Sequence, residues 1–325
     1  MLPKDTIDFW KRKRVLITGG AGFLGSHIVD ILKTIGCKEI FVPRSKDYDL
    51  REQSAVKRMY EDFSPEIVIH LASVVGGIGA NQKFPGKFFY DNAIMGIQVI
   101  EFARRFGVEK FVCIGTVCSY PKYTPIPFRE EDLWNGYPEE TNAPYGLAKK
   151  MLLVQLQAYR KEYGFKGIYL ILTNLYGPRD NFDLETSHVI PALIRKFIEA
   201  KEAMEKGNPH PVVLWGTGKA TREFLYVEDA AEGILIATHK YDGADPVNMG
   251  GMGEISIKDL AQMIKEMVRY KGEIIWDTSK PDGQPRRCLD SSKALKLFGW
   301  KAATPLEVGL RKTIEWYLQQ RKREK

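Results

Sequence analysis

Apolar residues fall into short, almost uninterrupted runs at residues 15–17, 39–42, 67–71, 110–114 and 168–172, with helically spaced stretches between them. A strand covered on both faces reads as such a run, whereas a helix lying on a sheet shows apolar positions three and four apart. Ile28, Ile31, Leu32 and Ile35 mark the first helix, which Gly36 stops, and residues 93–106 and 145–163 mark two longer ones. Strands alternating with helices predict an α/β fold built on a doubly wound parallel sheet of Rossmann type. After Asn174-Leu175-Tyr176-Gly177-Pro178 the pattern loosens into longer loops with Pro/Gly punctuation at 207–211, 216–218 and 281–285, which predicts a smaller C-terminal α/β lobe. Residues 223–239 regain the earlier pattern and read as a return to the first domain. No internal repeat or low-complexity segment interrupts the chain.

The two long helices carry more apolar residues than one face can hold: Ile94, Ile97, Ile100 and Phe102 on one, Leu147, Met151, Leu152, Leu153 and Leu156 on the other. Surplus apolar surface on a helix that packs on a sheet predicts a partner.

Composition narrows the function classes. The chain has 325 residues, 44% hydrophobic and 27% charged, enough for two domains with sizeable cores. No apolar run reaches the ~18 residues of a membrane span, and the charged N-terminus lacks a signal-peptide core, so a cytoplasmic location is expected. Cys37, Cys113, Cys118 and Cys288 form no CxxC pair or metal-ligand spacing, so reduced thiols and no metal are expected. The net charge of +7 is dispersed apart from clusters at 11–14 and 321–325, read as solvated ends. That distribution argues against nucleic acid and suits anionic small molecules.

Between the first strand and the first helix stands Thr18-Gly19-Gly20-Ala21-Gly22-Phe23-Leu24-Gly25. Glycines at 19, 22 and 25 let the backbone and a helix N-terminus approach a pyrophosphate, so residues 19–25 are expected to bind a dinucleotide. The second strand ends in Val42-Pro43-Arg44-Ser45-Lys46, where cations suit the 2'-phosphate of NADP; Asp47 and Asp49 keep NAD open. The cofactor lining is expected to extend to Asp49, Leu50, Leu71, Ala72, Ile114 and Gly115. On this basis residues 1–176, with a return segment at about 223–250, form the dinucleotide-binding domain, and 177–325 mainly the substrate lobe.

Tyr145 and Lys149 lie four residues apart, one above the other on a helix face, where an ammonium can favour the phenolate. Thr116 should stand at the carboxyl edge of the 110–114 strand, where α/β sites are built. With the glycine loop, these residues resemble the extended short-chain dehydrogenase/reductase superfamily, whose Ser/Thr, Tyr and Lys form a catalytic triad.

A narrower resemblance covers nearly the whole chain. Val75-Gly76-Gly77-Ile78, Cys118-Ser119-Tyr120-Pro121-Lys122, Asp180-Asn181-Phe182, Ser187-His188-Val189-Ile190-Pro191, Arg222-Glu223-Phe224-Leu225 and Ser279-Lys280-Pro281-Asp282-Gly283 are similar to the GDP-L-fucose synthase family. The resemblance implies NADPH-dependent 3,5-epimerisation and 4-keto reduction of GDP-4-keto-6-deoxy-D-mannose. It gives Cys118 and His188 the roles of base and acid. A 4-ketone acidifies the C3 and C5 protons, and a thiol near ~8.5 and an imidazole near ~6.5 can exchange them near neutral pH. It implies further that Tyr145 protonates O4, that Lys149 lowers the tyrosine pKa and holds the nicotinamide ribose, and that Thr116 bonds the carbonyl. Leu172, Asn174, Leu175 and His188 match positions beside the cofactor, and Lys196, Trp215, Arg222 and Asp282 match substrate contacts. It also implies a homodimer through a four-helix bundle.

Two positions depart from the family pattern: Ala21 stands where an arginine is found, removing one 2'-phosphate partner, and Thr116 where a serine is found, keeping the hydroxyl. Val117 and Cys118 occupy the places of the Asp and Glu that dehydratases use, which disfavours elimination. Two alternatives remain: a related enzyme acting on another GDP-4-keto sugar or retaining only one of the two reactions, and a non-catalytic dinucleotide-binding sensor or scaffold.

Overall fold

The structure, a computed structural model, describes residues 2–280 and 282–323. Pro281 of the Ser279-to-Gly283 motif, the first residue of the expected 1–176 segment, and Lys325 at the end of the second basic cluster lie outside the described residues.

The chain begins with α1 (Lys4–Trp10), β1 (Arg14–Thr18), α2 (Phe23–Thr34) and β2 (Glu39–Phe41). It continues through α3 (Gln53–Phe63), β3 (Ile67–His70), α4 (Ile78–Lys83), α5 (Pro85–Arg105), β4 (Lys110–Thr116), α6 (Ala143–Tyr163) and β5 (Gly167–Leu172). Then come β6 (Asn174–Tyr176), α7 (Val189–Glu205), β7 (Val212–Trp215), β8 (Thr221–Tyr226), α8 (Val227–Lys240) and β9 (Val247–Met249). The last elements are β10 (Glu254–Ser256), α9 (Ile257–Val268), β11 (Ile274–Asp277), β12 (Arg286–Arg287), α10 (Ser292–Phe298) and α11 (Leu306–Arg323).

The runs at 15–17, 67–71, 110–114 and 168–172 become the four inner strands, and the 39–42 run the edge strand β2, of a parallel six-stranded sheet ordered β2-β1-β3-β4-β5-β9. Alternate residues of each run feed two different cores, as a strand's two-residue period requires. Val15 and Ile17, Ile67 and Ile69, Val112 and Ile114, and Ile168 and Leu170 point into one core with α2 and α8. Leu16, Val68, Phe111, Cys113, Tyr169 and Ile171 point into the other with α3, α5 and α6. The order reverses beside β1, so a crevice opens above the carboxyl ends of β1 and β3.

The later segments build a second unit. β10, β8 and β12 form a mixed sheet with β6 also paired to β8, β7 pairs with β11, and α7, α9 and α11 cover a third core. The 223–239 segment divides: residues 223–226 lie in β8 of the small sheet, while α8 packs in the first core beside the six-stranded sheet.

One expectation is corrected. The basic clusters are not simply solvated: Lys13 pairs with Glu66 and Glu109, Arg14 with Glu39, and Arg321 with Glu202. Of the apolar residues of the long helices, Ile100, Phe102, Leu152, Leu153 and Leu156 fill the second core. Met151 and the neighbouring Val154 are exposed, and Ile94, Ile97 and Leu147 are half-buried. No described helix is long and apolar enough to cross a membrane.

Candidate active site

At the carboxyl edge of the six-stranded sheet, a cleft of about 1420 Å³ runs from the glycine loop to the small sheet. Its first wall is backbone. Gly19 turns with φ +72°, and a Cβ on Gly25 would lie 2.3 Å from the Gly19 carbonyl oxygen and 2.5 Å from the Gly20 Cα. Only glycine at 25 lets α2 start this close to the loop. Gly22 caps α2 without a side-chain hydrogen bond, so the first-turn N–H groups are left for a ligand. Gly19, Ala21, Gly22, Phe23, Leu24 and Gly25 line the cleft, and so do Leu71, Ala72, Ile114, Gly115, Leu172, Asn174 and Leu175. Gly20 does not. Its Cβ would meet the Ile17 carbonyl and the Val42 methyls at 2.9 Å, so its smallness serves packing beneath the loop.

At the adenosine end, Arg44 and Lys46 are exposed and line the cleft with Asp49 and Leu50. Arg51 bonds both Asp49 carboxylate oxygens, at 3.0 and 2.7 Å. That hydrogen bonding holds the Asp49 pKa down to about 2. Of the two acids that kept NAD open, Asp49 is thus already satisfied by a guanidinium and Asp47 is exposed outside the cleft lining, whereas the two cations face the cleft. The glycine cradle, the uncapped helix and this cationic rim fit a phosphorylated dinucleotide.

The second wall is built from side chains. β4 ends at Thr116, which caps a single 3₁₀ turn over Val117–Ser119 by accepting the Cys118 N–H at 3.2 Å. α6 docks tightly on this turn: a Cβ on Gly146 would stand 2.3 Å from the Cys118 carbonyl oxygen, and the Ser119 hydroxyl donates to the Gly146 carbonyl at 2.9 Å. This close approach sets Tyr145 beside Thr116 and Cys118, and all three line the cleft with Lys149. Burial raises the Tyr145 pKa, while hydrogen bonds with Ser73 and Thr116 pull it back. The expected lowering by Lys149 is not among the leading influences, because desolvation dominates; burial likewise lowers the pKa of the lysine.

His188 occupies the N-cap position of α7 but makes no side-chain cap bond. Its ring is open to the cleft, yet the surrounding walls displace enough water to lower its pKa. Lys196 reaches the Val213 carbonyl at 2.9 Å, and Trp215 is exposed with the Lys280 ammonium 5.5 Å from its ring centre. Arg222 on β8 donates to the Thr221 carbonyl at 2.7 Å; burial, then the nearby Arg287, lowers it to about 10. Asp282 accepts both the N–H and the hydroxyl of Thr217 at 2.7 Å, so both of its oxygens are engaged in closing the 216–218 loop.

The cleft therefore gathers every residue expected at the site except Gly20. Residues 15–250 match the NAD dependent epimerase/dehydratase family. The GDP-L-fucose synthase of Sinorhizobium fredii is 44% identical over 94% of this chain and 96% of its own. The chain belongs to the GDP-L-fucose synthase branch of that family. Among solved structures, a GDP-L-fucose synthetase from Naegleria fowleri bound to NADP superposes with a TM-score of 0.86 at 33% identity, covering 95% of each chain. A GDP-mannoheptose C4 reductase from Campylobacter jejuni with NADP bound also gives 0.86, at 30% identity over 95% of this chain and 99% of that one.

Three further residues enter the site that the sequence pattern did not single out. Ser73 bonds Asn92 as well as Tyr145, Asn142 carries its amide oxygen 3.9 Å from the Cys118 sulfur, and Arg287 points a guanidinium nitrogen at that sulfur from 3.5 Å. They lie 45, 24 and 169 residues from Thr116 or Cys118 along the chain in segments without a motif of their own, and only an alignment of relatives could have drawn attention to them.

Proposed function

We propose that this chain converts GDP-4-keto-6-deoxy-D-mannose to GDP-L-fucose with NADPH, by epimerisation at C3 and C5 followed by reduction at C4. The observation that carries the reading is the convergence of Thr116, Cys118, Tyr145, Lys149 and His188 on one cleft that also contains the glycine cradle. Gly19, residues 21–25, Arg44, Lys46 and the Leu172-to-Leu175 backbone would hold NADPH, which when bound supplies the hydride for C4. Residues 1–176, with α8 and β9 of the return segment, serve mainly the cofactor, and the rest of 177–325 mainly the GDP-sugar.

The steps assigned to the chain follow from its chemistry. The Cys118 sulfur takes the proton from C3 or C5 while the C–H electron pair moves toward O4, and His188 returns a proton on the opposite face. Desolvation by the cleft walls lowers the His188 pKa, and the anionic diphosphate and developing enolate are what favour its charged form. Thr116, whose oxygen already accepts the Cys118 N–H and whose hydroxyl bonds Tyr145, can turn that proton to O4 when the ketone enters. Tyr145 then delivers a proton to O4, with Lys149 one turn behind it. Arg222 suits the diphosphate through its planar fork, with Lys196 and Trp215 nearer the nucleotide.

The similarity to the mannoheptose C4 reductase favours a second reading, in which the sugar is another GDP-4-keto hexose or heptose. The two readings separate when the protein is incubated in deuterated water with GDP-4-keto-6-deoxy-D-mannose and NADPH. Deuterium entry at C3 and C5 together with NADPH oxidation is expected; reduction without exchange would leave the protein a C4 reductase only.

Exposed Met151 and Val154 with half-buried Leu147, Ile94 and Ile97 make a face on α5 and α6 that suits a homodimer through a four-helix bundle. A monomer by sedimentation at micromolar concentration would refute that assembly. A cytoplasmic location agrees with four free thiols.

A further inference from the structure

Arg287 is almost fully buried, at 7% exposure, at the end of the two-residue strand β12. Its Nε donates to the Gln284 side-chain oxygen at 2.7 Å, and the Gln284 amide in turn donates to the Lys122 carbonyl at 2.9 Å. With that edge anchored, a terminal nitrogen stands 3.5 Å from the Cys118 sulfur. A buried guanidinium with no carboxylate bonded to it among the described residues, held in place by a neutral amide, carries an uncompensated desolvation cost unless an anion completes it.

We propose that Arg287 is the positioning residue for Cys118, holding its sulfur as the thiolate and aiming it at the substrate carbon. The proposal rests on the epimerase reading above and adds the partner that Cys118 needs to act as a base. The other groups facing this sulfur do not supply one. Arg222, aligned with Arg287 on the neighbouring strand, adds positive charge but bonds the Thr221 and Asp282 carbonyls. Asn142 presents an amide oxygen, and its amide nitrogen is bonded to Glu139 at 2.6 Å. Glu139 lies near enough to feel Arg287, but its carboxylate is taken by Thr141 and Asn142. Tyr145 contributes a neutral phenol. When the thiolate takes the C3 or C5 proton it becomes a neutral thiol and the negative charge passes to O4, leaving the Arg287 guanidinium in the same cleft to stabilise it.

Iodoacetamide alkylation of Cys118, followed as a function of pH by mass spectrometry of the peptide that contains it, tests this without any sugar. In Arg287→Gln the alkylation midpoint should rise by about one to two pH units and the rate at pH 7 should fall roughly tenfold or more, with Arg287→Lys restoring part of the loss. Gln284→Ala, which releases the guanidinium without removing it, should show a smaller shift of the same sign and keeps the test open if Arg287→Gln fails to fold. An unchanged midpoint in a folded, NADPH-binding Arg287→Gln or Gln284→Ala protein overturns the proposal. Deuterium exchange into GDP-4-keto-6-deoxy-D-mannose is read in parallel: its absence in the unsubstituted protein counts against the substrate reading, while the alkylation profile still decides the Arg287–Cys118 pairing.

Discussion

The two ends of the cleft are made differently. The cofactor end is a continuous backbone feature in which one strand, one glycine turn and one helix fall within residues 14–34, so its shape follows from local conformation. The catalytic and sugar end is a meeting of side chains from β4, α6, α7, β8 and β12, spread from Thr116 to Arg287. The first tolerates no added atom where backbone meets backbone; the second depends on charges and protons that can be changed one side chain at a time. Substitutions at the two ends should therefore fail in different ways.

The largest expected effect is on reduction. Tyr145→Phe removes the proton donor for O4 and should lower NADPH oxidation by about 10²–10⁴-fold, leaving NADPH binding and C3/C5 exchange in place. Loss of exchange together with reduction would mean that the tyrosine serves both reactions. Next, Cys118→Ser replaces a thiol by a hydroxyl that is far less ionised and should cut deuterium exchange by roughly 10²–10³-fold. Exchange at the unsubstituted rate would remove Cys118 from its assigned role.

A third effect concerns stability at the side-chain end. Asp180 is buried beside the cleft, one of its carboxylate oxygens has no hydrogen-bond partner, and burial raises its pKa to about 7. Between the ordinary aspartate value of 3.8 and about 7 the folded protein binds more protons than the unfolded chain, so this group's contribution to stability falls as pH rises through that window and levels off above it. Asp180→Asn should flatten the slope and raise stability at pH 8 relative to pH 5 by about 1–3 kcal/mol, as read by urea denaturation. An unaltered slope would show that the carboxyl titrates normally.

The smallest effect belongs to the cationic rim. Arg44→Ala or Lys46→Ala should weaken NADPH binding roughly three- to tenfold, in a salt-dependent manner, and leave NADH binding nearly unchanged. Equal losses for the two cofactors in a fluorescence titration would move the 2'-phosphate elsewhere.

By itself the sequence determined whatever depends on neighbouring residues. Two-sided strands appear as unbroken apolar runs, the glycine turn carries its spacing, and Tyr145 and Lys149 share a helix face because a helix repeats every 3.6 residues. Motif resemblance extended this to Cys118 and His188. The tertiary structure alone decided what meets across long separations. Gly20 packs under the loop while Gly25 lets α2 start against it, Arg51 takes up Asp49, one of the two acids that had kept NAD open, and burial governs the Tyr145 phenol more than Lys149 does. Arg287 is brought against Cys118 across 169 residues. No local period encodes that contact, because it arises from the pairing of β12 with β8 at the cleft floor and the desolvation that packing imposes there.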